Sequence, residues 1–273
     1  LRAGQSRAFK MKQTYSFDDV LLEPQYSDIE SRSTIDISSN LSANKFHLPI
    51  ISSPMDTVTE KKMAIKMHFA GGLGVVHRYN TPEQQARIVG EAYVDGALNI
   101  AAAVGITGNY IDRARKVTDV GANILCIDVA HGHHSMMQRG ISELKNVLGD
   151  SVHIMAGNVA TLEAFEALSE WGADSVRVGI GGGSICSTRI VTGHGVPTFQ
   201  SVLECAQTSY DTKIIADGGI KTSGDIVKAL AAGADFVMIG SMLAGTKETP
   251  GEVFVNEKGE NLKEYRGMAS KEA

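Results

Sequence analysis

Residues 213–241 read KIIADGGIKTSGDIVKALAAGADFVMIGS. An apolar run, Lys213 to Ala216, ends in Asp217-Gly218-Gly219. Ser223 to Ala232 has apolar residues at helical spacing, with Thr222 or Ser223 as N-cap. Phe236 to Ile239 is a second apolar run, ending in Gly240-Ser241. Strand, helix and strand in so short a span form a βαβ unit. Strands apolar at every position are buried on both faces, so the sheet is predicted to be parallel.

The same period recurs toward the N-terminus. Ser175 to Ile180 precedes Thr198 to Thr208, and His153 to Ala156 precedes Leu162 to Trp171. Ile124 to Val129 precedes His134 to Leu148, and Asn99 to Val104 precedes Tyr110 to Val120. Leu73 to Val76 precedes Pro82 to Ala92, and Leu48 to Ser52 precedes Glu60 to Phe69. Eight such strands predict an α/β fold, a (β/α)8 TIM barrel. A doubly wound sheet is the alternative, and eight regular units favour the barrel. Beyond Ser241 no eighth outer helix is found. Thr249 and Pro250 break any helix there, and Val253 to Tyr265 reads as an excursion turning at Lys258-Gly259. The barrel is therefore read as truncated at a flap before its last helix, in a chain that runs on. Residues 1–13 read as a tag remnant or disordered lead-in, and 14–273 as a single barrel domain.

The 273 residues are 43% hydrophobic and 21% charged, with net charge −5, which suits a globular protein and argues against a nucleic-acid surface. No apolar run approaches the ~20 residues needed to span a bilayer, and no signal-peptide pattern is found. Cys126 and Cys205 lie in apolar stretches and read as core residues. Three widely spaced cysteines suit a reducing cytoplasm.

Polar residues gather where the strands end: Asp56, His77, Asp128, Asn158, Cys186, Asp217 and Ser241. In a barrel all of these face one end, the end that carries active sites. The richest segment is RVGIGGGSICSTRIVTGHGVP, Arg177 to Pro197. Its glycines allow close backbone approach to a ligand, and its one thiol, Cys186, is predicted to be an accessible nucleophile. The glycine run is not a dinucleotide fingerprint, because no helix opens at once and Cys186 intervenes. Gly218-Gly219 and Gly240-Ser241 follow the last two strands, where barrels bind phosphate, and Asp217 is placed to take ribose hydroxyls. Asp128 is predicted to contact substrate or cofactor. His131, His133 and His134 are not read as a transition-metal site, since no ligand spacing supports one. Met136-Met137 reads as helix packing.

The chain resembles the IMP dehydrogenase/GMP reductase family from TYSFDDVLLEP (Thr14 to Pro24) to YRGM (Tyr265 to Met268). The matching pieces include ISSPMDTVTE, GGLGVVHR, AGNVAT, RVGIGGGSICSTR, IADGGIKTSGDIVKALAAGAD and IGSMLAGTKETPGE. The resemblance implies a nicotinamide-dependent oxidoreductase working at C2 of a purine nucleoside monophosphate. Cys186 is then the thiol that attacks C2, and Thr188 the hydroxyl that helps activate water or ammonia. Ser184, Gly219, Gly240, Ser241 and Tyr265 match phosphate-holding positions, and Asp217 the ribose ligand. Ser53, Met55, Gly267 and Met268 match positions that line the nucleotide. Asp128, Asn158 and Arg177 are assigned to the cofactor side. The carbonyls of Gly181, Gly183 and Cys186 match a monovalent-cation site, normally K+, completed by a neighbouring subunit of a homotetramer.

Within the family, ISSPMDTVTE, TRIVTGHGVP, SMLAGT and YRGM look like IMP dehydrogenase, in which IMP, NAD and water give XMP and NADH. Asp128-Val129-Ala130 and VLECA (Val202 to Ala206) look like GMP reductase, in which GMP and NADPH give IMP and ammonia. The dehydrogenase is the favoured expectation. A catalytically idle barrel that binds purine nucleotides is the third. Most dehydrogenases of the family carry a CBS pair between strands two and three, and Gln84 to Val104 leaves no room for it.

Overall fold

The computed structural model describes residues 11–268. Eight short strands close into one parallel barrel. They are β1 (Ile50–Ser52), β2 (Leu73–Val76), β3 (Ala101–Val104), β4 (Ile124–Asp128), β5 (His153–Val159), β6 (Ser175–Val178), β7 (Lys213–Asp217) and β8 (Phe236–Ile239). Closure runs through β8 and β1, where Val237 lies opposite Ile50 and Ile239 opposite Ser52. The outer helices are α1 (Lys61–Phe69), α2 (Pro82–Val94), α3 (Tyr110–Asp119), α4 (Ser135–Leu148), α5 (Leu162–Glu170), α6 (Thr198–Cys205) and α7 (Ser223–Ala231). No helix among the described residues is long and apolar enough to cross a membrane.

Strand periodicity sorts the side chains into two cores. Ala101 and Ala103 point into the barrel with Ile51, Leu73, Val75, Ile124, Cys126, Met155, Ile215, Phe236 and Met238. Their neighbours Ala102 and Val104 point outward and pack beneath the helices with Leu125, Ile127, Val176 and Ala216. Extending the inward phase by one layer on β4, β6 and β7 reaches Asp128, Arg177 and Asp217. Those three charges form the upper rim of the interior because the period of two puts them there.

The lower end is closed by a hairpin, Ser39–Leu41 with Asn44–Phe46. Leu41 and Phe46 plug the barrel, and Phe46 meets Phe236 edge-on at 5.7 Å. Ser42 at the hairpin tip bonds His153 Nδ1 at 2.7 Å, and His153 Nε2 bonds Ser175 Oγ at 2.8 Å.

Helix starts follow local capping. Thr81 with Gln84, and Thr222 with Asp225, form capping boxes; Thr161 caps α5. Thr222 and not Ser223 is therefore the cap of α7. Three differences from the sequence reading bear on the cleft. β5 runs on through Gly157 and Asn158 to Val159, since pairing with β6 continues past a register shift. β6 stops at Val178, because Gly179 turns to φ +149°. A five-residue helix, Thr188–Thr192, follows Cys186 in a segment expected to be loop, and Gly193 ends it at φ +71°. After β8 no eighth outer helix stands among the described residues. A small hairpin, Phe254–Val255 with Asn261–Leu262, occupies the excursion expected there. Most of the predicted lead-in lies outside the described residues; of its last three, Lys12 contacts Glu204.

Candidate active site

The strand ends and the segment Tyr265–Met268 enclose a cleft of about 340 Å³. Every residue assigned to substrate, cofactor, catalysis or cation on sequence grounds lines it. One wall is the cysteine loop. Cys186 is half-buried, and its Sγ lies 3.3 Å from Thr188 Oγ1. The loop is pressed on β7 so closely that side chains cannot enter. A Cβ on Gly179 would sit 1.9 Å from the Asp217 carbonyl oxygen, and one on Gly182 would sit 2.3 Å from Thr198 Oγ1. These glycines are dictated by close approach.

The floor is an ionic cluster around Arg177, which is 6% exposed. Its Nη2 donates to Asp217 Oδ2 at 2.8 Å, its Nε to the same oxygen at 3.3 Å, and its Nη1 to Asp128 Oδ1 at 2.8 Å. Asn158 Nδ2 donates to Asp217 Oδ2 and to the Gly179 carbonyl, both at 2.8 Å. Burial opposes the charge of Arg177, but the facing carboxylates of Asp217 and Asp128 outweigh it and hold its pKa above the ordinary arginine value. Burial pushes the Cys126 thiol beneath it up to about 11, so that thiol stays protonated. Arg177, which the resemblance assigns to the cofactor side, lines the cleft and directs its donors to two carboxylates.

Beside the cysteine loop Gly240 faces Tyr265, Met55 and Ser53. A Cβ there would meet Tyr265 Oη at 3.0 Å, Met55 Sδ at 3.2 Å and Ser53 Oγ at 3.4 Å. Ser184 and Ser241 flank the same phenol. Burial raises its pKa, so it is a donor at neutral pH. Gly218 and Gly219, at φ +90° and +79°, complete this corner with half-buried backbone. Hydroxyls and backbone amides converging in this way suit an anion. Arg266 pairs with Asp56, which ties the Tyr265–Met268 segment to the loop after β1.

Two lining side chains able to bind a ligand through charge or a ring escaped the sequence reading. Arg78 and Tyr79 follow β2, with the guanidinium 5.2 Å from the Tyr79 ring and Arg78 Nε 3.6 Å from Asp128 Oδ2. The signal was present in GGLGVVHR, whose His77 drew attention in their place. His77 is buried, faces Glu60 Oε1 at 3.2 Å and accepts the Tyr79 N–H. Gln85 and Arg113 hold the same loop through its carbonyls. In the histidine loop, His134 caps α4 and His133 lies 6.0 Å from Trp171. Among the described residues no three His, Cys, Asp or Glu side chains gather as metal ligands.

A closed barrel with a thiol, an anion corner and a charged floor at its C-terminal end defines an enzyme of the (β/α)8 class. Residues 14–273 match the IMP dehydrogenase / GMP reductase domain. An inosine-5′-monophosphate dehydrogenase of Nitrosopumilus maritimus is 32% identical, over 96% of this chain and 81% of that protein. One from Cryptosporidium parvum is 38% identical, over 93% of this chain and 74% of its own length. A GMP reductase of Leishmania major is 32% identical, over 93% and 79%. The crystal structure of inosine 5′ monophosphate dehydrogenase from Legionella pneumophila superposes with TM-score 0.87 at 48% identity, covering 95% of this chain and 79% of that one. The chain belongs to the IMP dehydrogenase / GMP reductase family.

Proposed function

We propose that the protein is an IMP dehydrogenase, oxidising IMP at C2 with NAD and water to give XMP and NADH. The observation that carries this is the cleft itself: Cys186 beside Thr188, sharing one lining with an anion corner and a carboxylate that can take ribose. The nucleotide's phosphate is assigned to Ser184, Gly219, Gly240, Ser241 and Tyr265, and its ribose to Asp217. Ser53, Met55, Gly267 and Met268 line the base. The Cys186 thiolate adds to C2, and the carbon becomes tetrahedral. Hydride then leaves C2, and the nicotinamide supplies its acceptor when bound. Collapse leaves a thioimidate on Cys186. Thr188 helps take a proton from the attacking water, XMP departs and the thiol returns. Asp128 and Asn158, with Arg78 and Tyr79, offer the hydroxyl acceptors, amide and cation that fit a dinucleotide on the cofactor side. Arg177 acts there by positioning Asp128.

The carbonyls of Gly181, Gly183 and Cys186 are assigned to K+. Oxygen donors from one turn fit a hard monovalent cation in kind. Gly183 O also accepts the Cys186 N–H at 3.1 Å, which ties that donor set to the nucleophile. Three carbonyls leave coordination for a neighbour to complete, in keeping with a homotetramer. Residues 14–273 act as one catalytic barrel without a CBS pair; α2 and β3 are joined by a short link between Val94 and Ala101. The free cysteines and the substrate class suit the cytoplasm.

GMP reductase is the second reading, favoured by the Leishmania major relative. Absorbance of the reduced nicotinamide separates the two. NADH should appear with IMP and NAD. Loss of NADPH with GMP, and no NADH with IMP, would replace the first reading by the second. Binding without either reaction would leave the idle barrel.

A further inference from the structure

Asp217 on β7 and Asp128 on β4 are joined through one buried guanidinium. Arg177 holds one oxygen of each, Asp217 Oδ2 and Asp128 Oδ1, at 2.8 Å. Among the described residues, the remaining oxygens, Asp217 Oδ1 and Asp128 Oδ2, accept no hydrogen bond; Arg78 Nε stands 3.6 Å from the latter. Both carboxylates line the cleft. Each therefore has one oxygen fixed and one available to a ligand.

A guanidinium is a planar fork whose N–H groups move together. This one has little freedom. Gly157 leaves room for the Arg177 stem, whose Cβ would lie 2.6 Å from any side chain there, and Cys126 Sγ receives Nη1 at 3.3 Å. A shift of Asp217 must be answered by a tilt of the fork, and the tilt reaches Asp128.

We propose that Arg177 is a positioning residue that couples the two halves of the cleft. A ribose hydroxyl bound to Asp217 Oδ1 sets the guanidinium, and the guanidinium sets Asp128 so that Oδ2 receives a hydroxyl of the dinucleotide. The inference rests on the reading of the cleft as a site for a purine nucleotide and a nicotinamide dinucleotide. Coupling of this kind is reciprocal, so each ligand tightens the other by the same factor.

The test is calorimetric titration of NAD into the Cys186→Ala protein, where no chemistry intervenes. It is run alone, with saturating IMP, and with saturating 2′,3′-dideoxy-IMP. IMP should tighten NAD by about fivefold or more. The dideoxy analogue should give a clearly smaller factor, since the base and phosphate are unchanged but the contact to Asp217 is lost. Arg177→Lys on the same background should lower the IMP factor to the dideoxy value, and the analogue needs no second folded variant. Equal factors for IMP and its dideoxy analogue would overturn the coupling while leaving the functional reading intact. So would an undiminished factor in a folded Arg177→Lys protein. Failure of both IMP and NAD to bind would overturn the functional reading and the coupling together.

Discussion

The two ends of the barrel are built from the same strands and do opposite things. The lower end is sealed by Leu41 and Phe46 and finished by the chain Ser42–His153–Ser175, a neutral hydrogen-bonded cap. The upper end is left open and holds two aspartates and an arginine in its last interior layer. Buried charge is costly unless paired. The barrel concentrates that cost where ligands bind and closes the interior of the other end with apolar side chains and neutral hydrogen bonds. The lower end is thus the source of stability and the upper end the source of chemistry.

Changes at the two ends should separate accordingly. The largest effect belongs to Cys186→Ala, which should lower turnover by about 10⁴-fold or more, with the melting temperature and IMP affinity kept. Turnover within tenfold of wild type would remove the nucleophile from the upper end. Next, Phe46→Ala should cost about 3–5 kcal/mol of stability, read from urea unfolding, while KM for IMP stays unchanged in the protein that remains folded. A large rise in KM would mean that the ends are not independent. Third, Asp217→Asn should weaken IMP binding by about ten- to a hundredfold, the range for a charge-assisted hydrogen bond, as measured by titration. Unaltered affinity would take the ribose away from Asp217.

The smallest effect is a pH dependence of the lower end. Burial lowers the His153 pKa to about 4, against the pull of Asp174. The unfolded chain binds this proton below an ordinary value of about 6.5, and the folded protein refuses it until about pH 4. Stability therefore falls as pH drops through that window, by about 2 kcal/mol between pH 7 and 5 from this group. His153→Gln should flatten that part of the profile in urea unfolding. An unchanged slope would place the titration elsewhere.

The alternation of strands and helices was legible because each strand is built on an apolar run and most helices are punctuated by glycine or a capping side chain. The count of eight and the missing eighth outer helix were both readable in this way. The cleft was largely legible too, since ligand-facing residues fall just past apolar runs. What the residues alone did not reveal was partnership across the barrel. Arg177 sits inside an apolar strand, and nothing local says that its donors reach Asp128 on β4 and Asp217 on β7. Arg78 was hidden for a related reason: its neighbour His77 is the more conspicuous side chain, yet His77 turns inward to hold the loop. The plug was unreadable because Leu41 and Phe46 lie in strands of three residues with no visible period.

The central claim is that the upper end works through a bond between Cys186 and the purine. Rapid acid quenching during turnover with IMP and NAD, followed by mass spectrometry of the peptide that contains Cys186, tests it most directly. The account predicts that peptide heavier by one covalently attached purine nucleotide, and no such species from Cys186→Ala. NADH formation with the Cys186 peptide unmodified at every quench time would contradict it.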